Sequence, residues 1–429
     1  MKTAAVIAEY NPFHNGHLYQ LNTIRNALHA DCIIALMSGN FVQRGEPAVI
    51  DKFTRCRMAL LGGADLVFEL PVYYSTGSAE FFAQGAVSLL DKLGVVDMLH
   101  FGSELGSIGA LSDCADIFVN EPPEFKALLN ACLKDGLSFP SAQAKATCGI
   151  IHQNGGAADT ADMLSKPNNT LGIEYLKALK LRGSSIQPVT LKRKGSSYHD
   201  KSLHLSQTAQ SSRQEPYYAS ANAIRAFLSD AASVADMSPL AGCMPSFVYD
   251  ILNSERKSSL IFQEDFSSVM HYALLSCLQT GRSLEGYYDV TKQVSDIIVK
   301  NLPDFVSLPQ FILLCKSKNL TYSRISRCLT HILLGLTSEN ISWYKASDYA
   351  SYARLLGFSK NGLQLLKSIK ANSSIPVITK PLRDKNNLSG AALSSLNADI
   401  YASQLYYMAQ GQKYGRRAKN EYTQEIVRI

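Results

Sequence analysis

Two histidines three residues apart, His14 and His17, flank Gly16 in the run Asn11-Pro12-Phe13-His14-Asn15-Gly16-His17. Imidazoles can follow charge as it develops on a phosphate. Glycine lets backbone approach a ligand closely, and the free amides of a helix start attract anions. Together they outline a nucleotide site. The same spacing also occurs as a fragment of a metal site or as a plain surface turn, so its surroundings must decide.

Further along, other residues could serve the same chemistry. Arg44, within Phe41-Val42-Gln43-Arg44-Gly45-Glu46-Pro47-Ala48, offers a planar fork for a phosphate or carboxylate, or is a solvated loop arginine. Gly102 could let a purine or ribose lie against the backbone, or simply make a turn. Of Asn168 and Asn169, one is expected to cap a helix, leaving the other to read an adenine or ribose edge. Lys192, Arg193 and Lys194, ahead of a glycine-serine turn, suit a polyphosphate or an RNA backbone, as a solvated basic loop also would. Ser220 reads as the cap of a helix carrying Arg225, with first-turn amides open to an anion.

These residues need a scaffold that brings them together, and the hydrophobic pattern supplies one. A short apolar run, Ala4 to Ala8, reads as a buried strand; Asn11-Pro12 turns the chain, and a helix from about His17 to His29 shows Leu18, Leu21, Ile24 and Leu28 on one stripe. Strands are expected at Cys32 to Met37, Ala64 to Leu70, Met98 to Phe101 and Ile186 to Leu191. Between them lie helices, one capped by Asp51 and stopped at Gly62-Gly63, another from about Ser78 to Leu93. Such alternation implies right-handed crossovers and a parallel sheet, whose ligands sit at the carboxyl ends of strands. The fold class is therefore α/β, with a Rossmann-like domain over residues 1–237. Helices are expected from Asp113 to Gln153, a loop from His152 to Asp162, and a mobile Ser- and Gln-rich stretch from Lys201 to Gln214.

Beyond Ser238 strand patterns fade. The segments Phe262 to Thr280, Asp289 to Leu302, Leu308 to Lys316, Thr321 to Leu336, Ser347 to Leu356 and Asn361 to Ala371 carry helical spacing, which predicts an all-α domain over residues 238–429. Within it Arg324 and Arg327 beside Tyr322, and Lys413, Arg416, Arg417 and Lys419 beside Tyr414, suit RNA backbone and base stacking, or a solvated face.

The whole chain is compatible with this plan. Its 429 residues are 46% hydrophobic and 18% charged, enough for a sizeable core, and the formal charge of +6 permits an RNA partner without demanding one. Nine cysteines without a CxxC pair point to reduced, buried thiols rather than disulfides or zinc. The start lacks the pattern of a secretory signal, and no apolar run approaches the roughly 20 residues that span a bilayer, so a cytoplasmic protein away from membranes is expected.

The HxGH turn resembles that of the HIGH-type nucleotidyltransferases, whose histidines hold the triphosphate of ATP. With the FVQRGEPA loop, the FGSE strand end, the KPNNTLGIEYLKAL helix start, the KRKGSSYHD loop and the SANAIR helix, the chain resembles the bacterial tRNA(Met) cytidine acetate ligase family over most of its length. SANAIR stands where the superfamily often has an ISSTxIR phosphate motif, from which Ala221 and Asn222 depart. The resemblance implies that acetate and ATP form acetyl-adenylate with release of pyrophosphate, after which the exocyclic amine of the wobble cytidine of elongator tRNA(Met) takes the acetyl group. It implies an ATP site made of Ile7, Ala8, Glu9, Tyr10, Asn11, Pro12, Phe13, His14, Asn15, Gly16, His17, Leu18, Tyr19, Gln20, Gly102, Asn168 and Arg193, with His14 and His17 at its chemical centre. Magnesium is expected on the triphosphate, held chiefly by phosphate oxygens and water, with no protein ligand assigned. A small-molecule adenylyltransferase would share the turn but leave the helical half without a purpose. A non-catalytic RNA-binding protein would leave the paired histidines unexplained.

Overall fold

In the computed structural model, which describes residues 1–153, 160–194, 217–230 and 236–429, the first strand β1 (Thr3–Ala8) alternates its side chains between two cores. Ala4 and Val6 join one cluster and Ala5 the other, the period-two pattern of a strand covered on both faces. Strand β2 (Cys32–Ser38) behaves likewise, with Ile33, Ala35 and Met37 on one face and Ile34 and Leu36 on the other. A two-residue hairpin pair, β3 (Phe41–Val42) and β4 (Glu46–Pro47), follows. Then come β5 (Leu66–Leu70), β6 (Met98–Ser103) and β7 (Gln187–Lys192). Three later strands, β8 (Ala353–Phe358), β9 (Val377–Ile378) and β10 (Val427–Arg428), complete one eight-stranded sheet in the order β10-β8-β5-β2-β1-β6-β7, with β9 beside β8.

The N-terminal strands are parallel throughout, from β5 through β2, β1 and β6 to β7. From β1 the chain moves outward on one side to β2, and the other side is filled later by β6. This is a topological switch point, and it opens a crevice at the carboxyl ends of β1 and β6. The α/β class holds, with a Rossmann-like sheet and a largely helical C-terminal region.

Several local expectations are corrected. The first helix runs Asn15–Asn26 rather than from about His17 to His29, because His14 itself is its cap. The stretch Ser347 to Leu356 is not helical. It leads into β8, which pairs antiparallel with β5. An apolar run as short as ARLLGF has no periodicity that separates strand from helix, and a neighbouring strand edge decides. Neither Asn168 nor Asn169 caps a helix: the helix Pro167–Arg182 has Lys166 at its cap position, and both asparagines lie in its first turn. The turn 195–200, the stretch 201–214 and most of the loop expected at His152 to Asp162 lie outside the described residues.

All nine cysteines are free and all but Cys148 are buried. Among the described residues no helix is long and apolar enough to cross a membrane. One core cluster passes without a break from Phe68, Phe82 and Phe101 of the sheet side to Leu274, Ile325 and Leu329 of the helical region.

Candidate active site

The crevice is lined from both flanks of the switch point. Ile7, Ala8, Glu9, Tyr10, Asn11 and His14 come from β1 and the turn after it, Gly16, His17, Tyr19 and Gln20 from the helix Asn15–Asn26, Gly102 from the end of β6, Asn168 from the helix Pro167–Arg182, and Arg193 and Lys194 from just past β7. Ser220 and Arg225 approach from the helix Ala221–Ser229. Pro12, Phe13, Asn15 and Leu18 do not line it. Phe13 lies under Gly62, where an added Cβ would come within 2.5 Å of its ring, and Leu18 packs against a core. Asn15 Nδ2 donates to the carbonyls of Tyr217 and Gly242 at 3.0 and 2.9 Å.

The two histidines hold one another. The amide of Gly16 donates to His14 Nδ1 at 3.0 Å, and the amide of His14 donates to His17 Nδ1 at 3.2 Å, a reciprocal cap made of imidazoles. Their rings stack with centroids 3.8 Å apart, and His17 also meets Tyr10 edge-on at 4.8 Å. Since both Nδ1 atoms accept, each ring carries its proton on Nε2 and is neutral. Burial, reinforced by the charges of Arg193 and Arg225, pushes His14 down to about 3. Burial, then His14 and Arg193, likewise holds His17 well below its ordinary range. Gly16 is required here by its neighbour: a Cβ would sit 2.9 Å from His14 Cε1.

Across the crevice the stem of Arg193 lies over Gly102, whose Cβ would be 3.3 Å from Arg193 Cγ, and Arg193 Nη1 reaches Asn168 Oδ1 at 3.4 Å. Asn168 is set by Glu104: one carboxylate oxygen accepts from Asn168 Nδ2 at 2.6 Å, and the other accepts from the amide of Asn169 at 2.9 Å. This carboxylate fills the start of the helix, so Asn168 rather than the helix amides faces the crevice. Lys194 lies 4.6 Å over the Tyr19 ring, which meets Tyr218 at 5.9 Å. Gln20 Nε2 is 3.1 Å from Nδ1 of His100, whose ring burial pushes down to about 4. Ser220 Oγ accepts from the amide of Ala223 at 3.0 Å, and Arg225 Nη1 donates to the Asn11 carbonyl at 2.8 Å.

Beneath this surface Arg55 is fully buried and staples the strand ends. Its guanidinium donates to the carbonyls of Glu9 at 2.6 Å and Ser38 at 3.0 Å, and also to those of Ile50 and Gly39. Burial holds this arginine below its usual range. Sequence reading assigned no site role to Arg55 or Glu104. An arginine among Cys56, Met58 and Ala59, and a glutamate directly after a strand end, were the available signals.

The remaining candidates lie apart. Arg44 does not line the crevice but sits on the hairpin, where its charge and that of Arg225 act on the Glu46 carboxyl. Lys192 is exposed at the end of β7. Arg327 pairs with Asp289 at 3.1 Å and Arg324 approaches the same carboxylate at 3.9 Å. Lys413 pairs with Asp265 at 2.8 Å, while Arg416 and Arg417 are exposed. Among the described residues no cluster of three or more His, Cys, Asp or Glu could hold a metal ion.

The family model for the HIGH Nucleotidyl Transferase matches residues 1–421. The chain is 39% identical over 411 residues to a tRNA(Met) cytidine acetate ligase of Thermoanaerobacter sp. (strain X514), covering 95% of this chain and 96% of that one. It is 36% identical over 429 residues to one of Acetivibrio thermocellus, covering 100% of both. Its fold is similar to that of Thermotoga maritima TmcAL bound with alpha-thio ATP, with a TM-score of 0.88, 30% identity and coverage of 100% of this chain and 99% of that one. For the apo form the TM-score is 0.89 at 29% identity, covering 100% of both.

Proposed function

Because the chain belongs to the tRNA(Met) cytidine acetate ligase family of HIGH-type nucleotidyltransferases, we propose that it joins acetate to the wobble cytidine of elongator tRNA(Met) through acetyl-adenylate. The observation that carries this reading is the pair of neutral imidazoles fixed by each other's Nδ1 bonds. Each keeps an Nε2–H for a phosphate oxygen, and neither must move when charge develops.

Acetate attacks the α-phosphorus of ATP, and the negative charge of the crowded phosphate is met by His14, His17, Arg193, Lys194 and Arg225. Donors fixed before the reaction cost no reorganisation during it, which is how such a site lowers a barrier without a covalent intermediate. Asn168, held by Glu104, and the backbone of Gly102 beneath the Arg193 stem take the nucleoside. Magnesium, carried on the triphosphate and its waters, adds neutralising charge.

The division of labour follows the chain. Residues 1–237 provide the nucleotide chemistry, and the helical segments of residues 238–429, whose strands β8 to β10 complete the same sheet, offer much of the tRNA surface. Lys194 at the crevice, exposed Lys192 beside it on β7, and Arg416 and Arg417 farther off are offered to the RNA backbone, with Arg324, Arg327 and Lys413 available after exchange of Asp289 and Asp265 for phosphates. The cytoplasm is the compartment where this substrate is found.

Incubation with labelled acetate, ATP, magnesium and tRNA(Met) tests the proposal. Label is expected in the tRNA, with AMP and pyrophosphate released in equal amounts. Label entering only from acetyl-CoA, or ADP in place of AMP, would overturn it.

A further inference from the structure

We propose that Glu9 takes the proton that leaves the cytidine exocyclic amine, and that the side of the crevice around it receives the base. This rests on the acetate-ligase reading above. The crevice is lined by two unlike kinds of group. His14, His17, Arg193, Lys194 and Arg225 are suited to phosphate. Glu9 lines the same crevice, bonded to the Gln43 amide and close enough to Tyr175 to act on its phenol, and Phe82 and Phe101 line it too. Phe101 and Tyr175 meet edge-on at 5.6 Å. The Tyr175 phenol, raised first by burial, is raised further by the nearby Glu9 charge.

Among the described residues that line the crevice, Glu9 is the one carboxylate. A fixed negative charge repels a triphosphate, by about 1 kcal/mol at 4 Å in water and by several-fold more at lower dielectric. Its place therefore calls for a ligand group that donates. Cytosine presents such a group: its N4 amine pairs with carboxylates, and a single-stranded base enters a protein by lying against aromatic faces.

Glu9 is held for this task. It follows β1 directly, its carbonyl accepts from Arg55, and its Oε1 accepts from the amide of Gln43 at 3.1 Å. A carboxylate has about four lone-pair directions, so this bond leaves capacity for an amine. Gln43 belongs to the β3–β4 hairpin, and the carbonyl of Gly45 in that hairpin accepts from Ser326 Oγ and Thr330 Oγ1, each at 2.7 Å. Glu9 is thus tied to the helical region that would carry the tRNA.

In the transfer step the N4 lone pair forms a bond to the acetyl carbonyl carbon. The bond from that carbon to the AMP oxygen breaks, and AMP leaves with the bonding pair. The amine becomes acidic only as it adds, so the proton passes to Glu9 in that step and from there to water.

Glu9→Gln keeps an oxygen for the Gln43 amide and removes the base. Two rates are measured on the full-length protein with ATP, acetate and magnesium: acetate-driven ATP–pyrophosphate exchange, and acetyl transfer to tRNA(Met). Transfer is expected to fall by about a hundredfold more than exchange, and Glu9→Asp is expected to restore part of it. Thermal melts check each fold, and the Asp variant carries the comparison if the Gln variant does not fold. Equal losses in both rates, or an altered magnesium requirement, would put Glu9 on the nucleotide and overturn the proposal. So would transfer at the wild-type rate. Absence of acetate-driven exchange in the wild-type protein would instead remove the reading beneath it.

Discussion

His14 has two roles that substitution can separate. As an N-cap it accepts from the Gly16 amide, and in the proposed reaction it would donate from Nε2 to a phosphate oxygen. His14→Asn retains a capping acceptor and loses the donor, so exchange of pyrophosphate into ATP should fall by about a hundredfold or more while the melting temperature changes little. His17→Ala should lose similar activity and, with its cap, about 1 kcal/mol of stability. Titration gives a second measurement. The unfolded chain protonates His14 near its ordinary value of 6.5, whereas the folded chain resists until about 3. Between those limits the unfolded state binds more protons, so stability falls as pH falls, by up to about 1.4 kcal/mol per pH unit from this residue. Urea unfolding at pH 7.5 and 5.5 should show a smaller difference for His14→Asn than for wild type; an equal difference would place the proton elsewhere. The letters HNGH pointed to this turn without revealing that the imidazoles cap each other, since a side chain's backbone partner is not written in its spacing. Arg55 was less legible still, because its charge is satisfied by carbonyls from three separate segments.

At the scale of elements, the hairpin and the helix Tyr322–Leu334 act as one piece. Gly45 has φ of +71°, and a Cβ there would lie 2.5 Å from Arg327 Cα, so the helix backbone rests directly on the turn. Gly45→Ala combines left-handed strain with overpacking and should cost on the order of 2 kcal/mol or more, read as a lower urea midpoint at unchanged slope. A stability within about 0.5 kcal/mol of wild type would mean that the contact yields freely. The helices of this half were readable where one apolar stripe faces a core, as in Ile325, Leu329 and Ile332. The helix Gly390–Lys413 was not, because it is buried on several sides and interleaves Asp399, Ser403 and Gln410 with Leu396, Tyr406 and Tyr407. Such a surround erases the stripe that periodicity detects.

Across the whole molecule, the two halves share a buried set of charges. Lys52 pairs with Glu69 at 2.7 Å and Glu421 at 2.6 Å, and Arg354 pairs with the same carboxylates at 3.2 and 2.6 Å, all four side chains being almost fully buried. Beside them Asp399 is raised to about 7, first by burial and then by Glu69. Two cations and two anions balance; removing one partner strands a charge in the core at a cost of about 3–5 kcal/mol. Glu421→Gln should lower stability by about that amount. A fragment of residues 1–237, lacking β8, Arg354 and Glu421, should show no cooperative melt, and a sharp transition at the wild-type temperature would refute the interlock. No local pattern announces this arrangement, because its partners are distant in sequence and a lone lysine or glutamate looks solvated. Synthesis on the ribosome gives it a further meaning. Glu421 emerges after both cations it pairs with, so until residue 421 is made Lys52 and Arg354 have the Glu69 carboxylate alone to share.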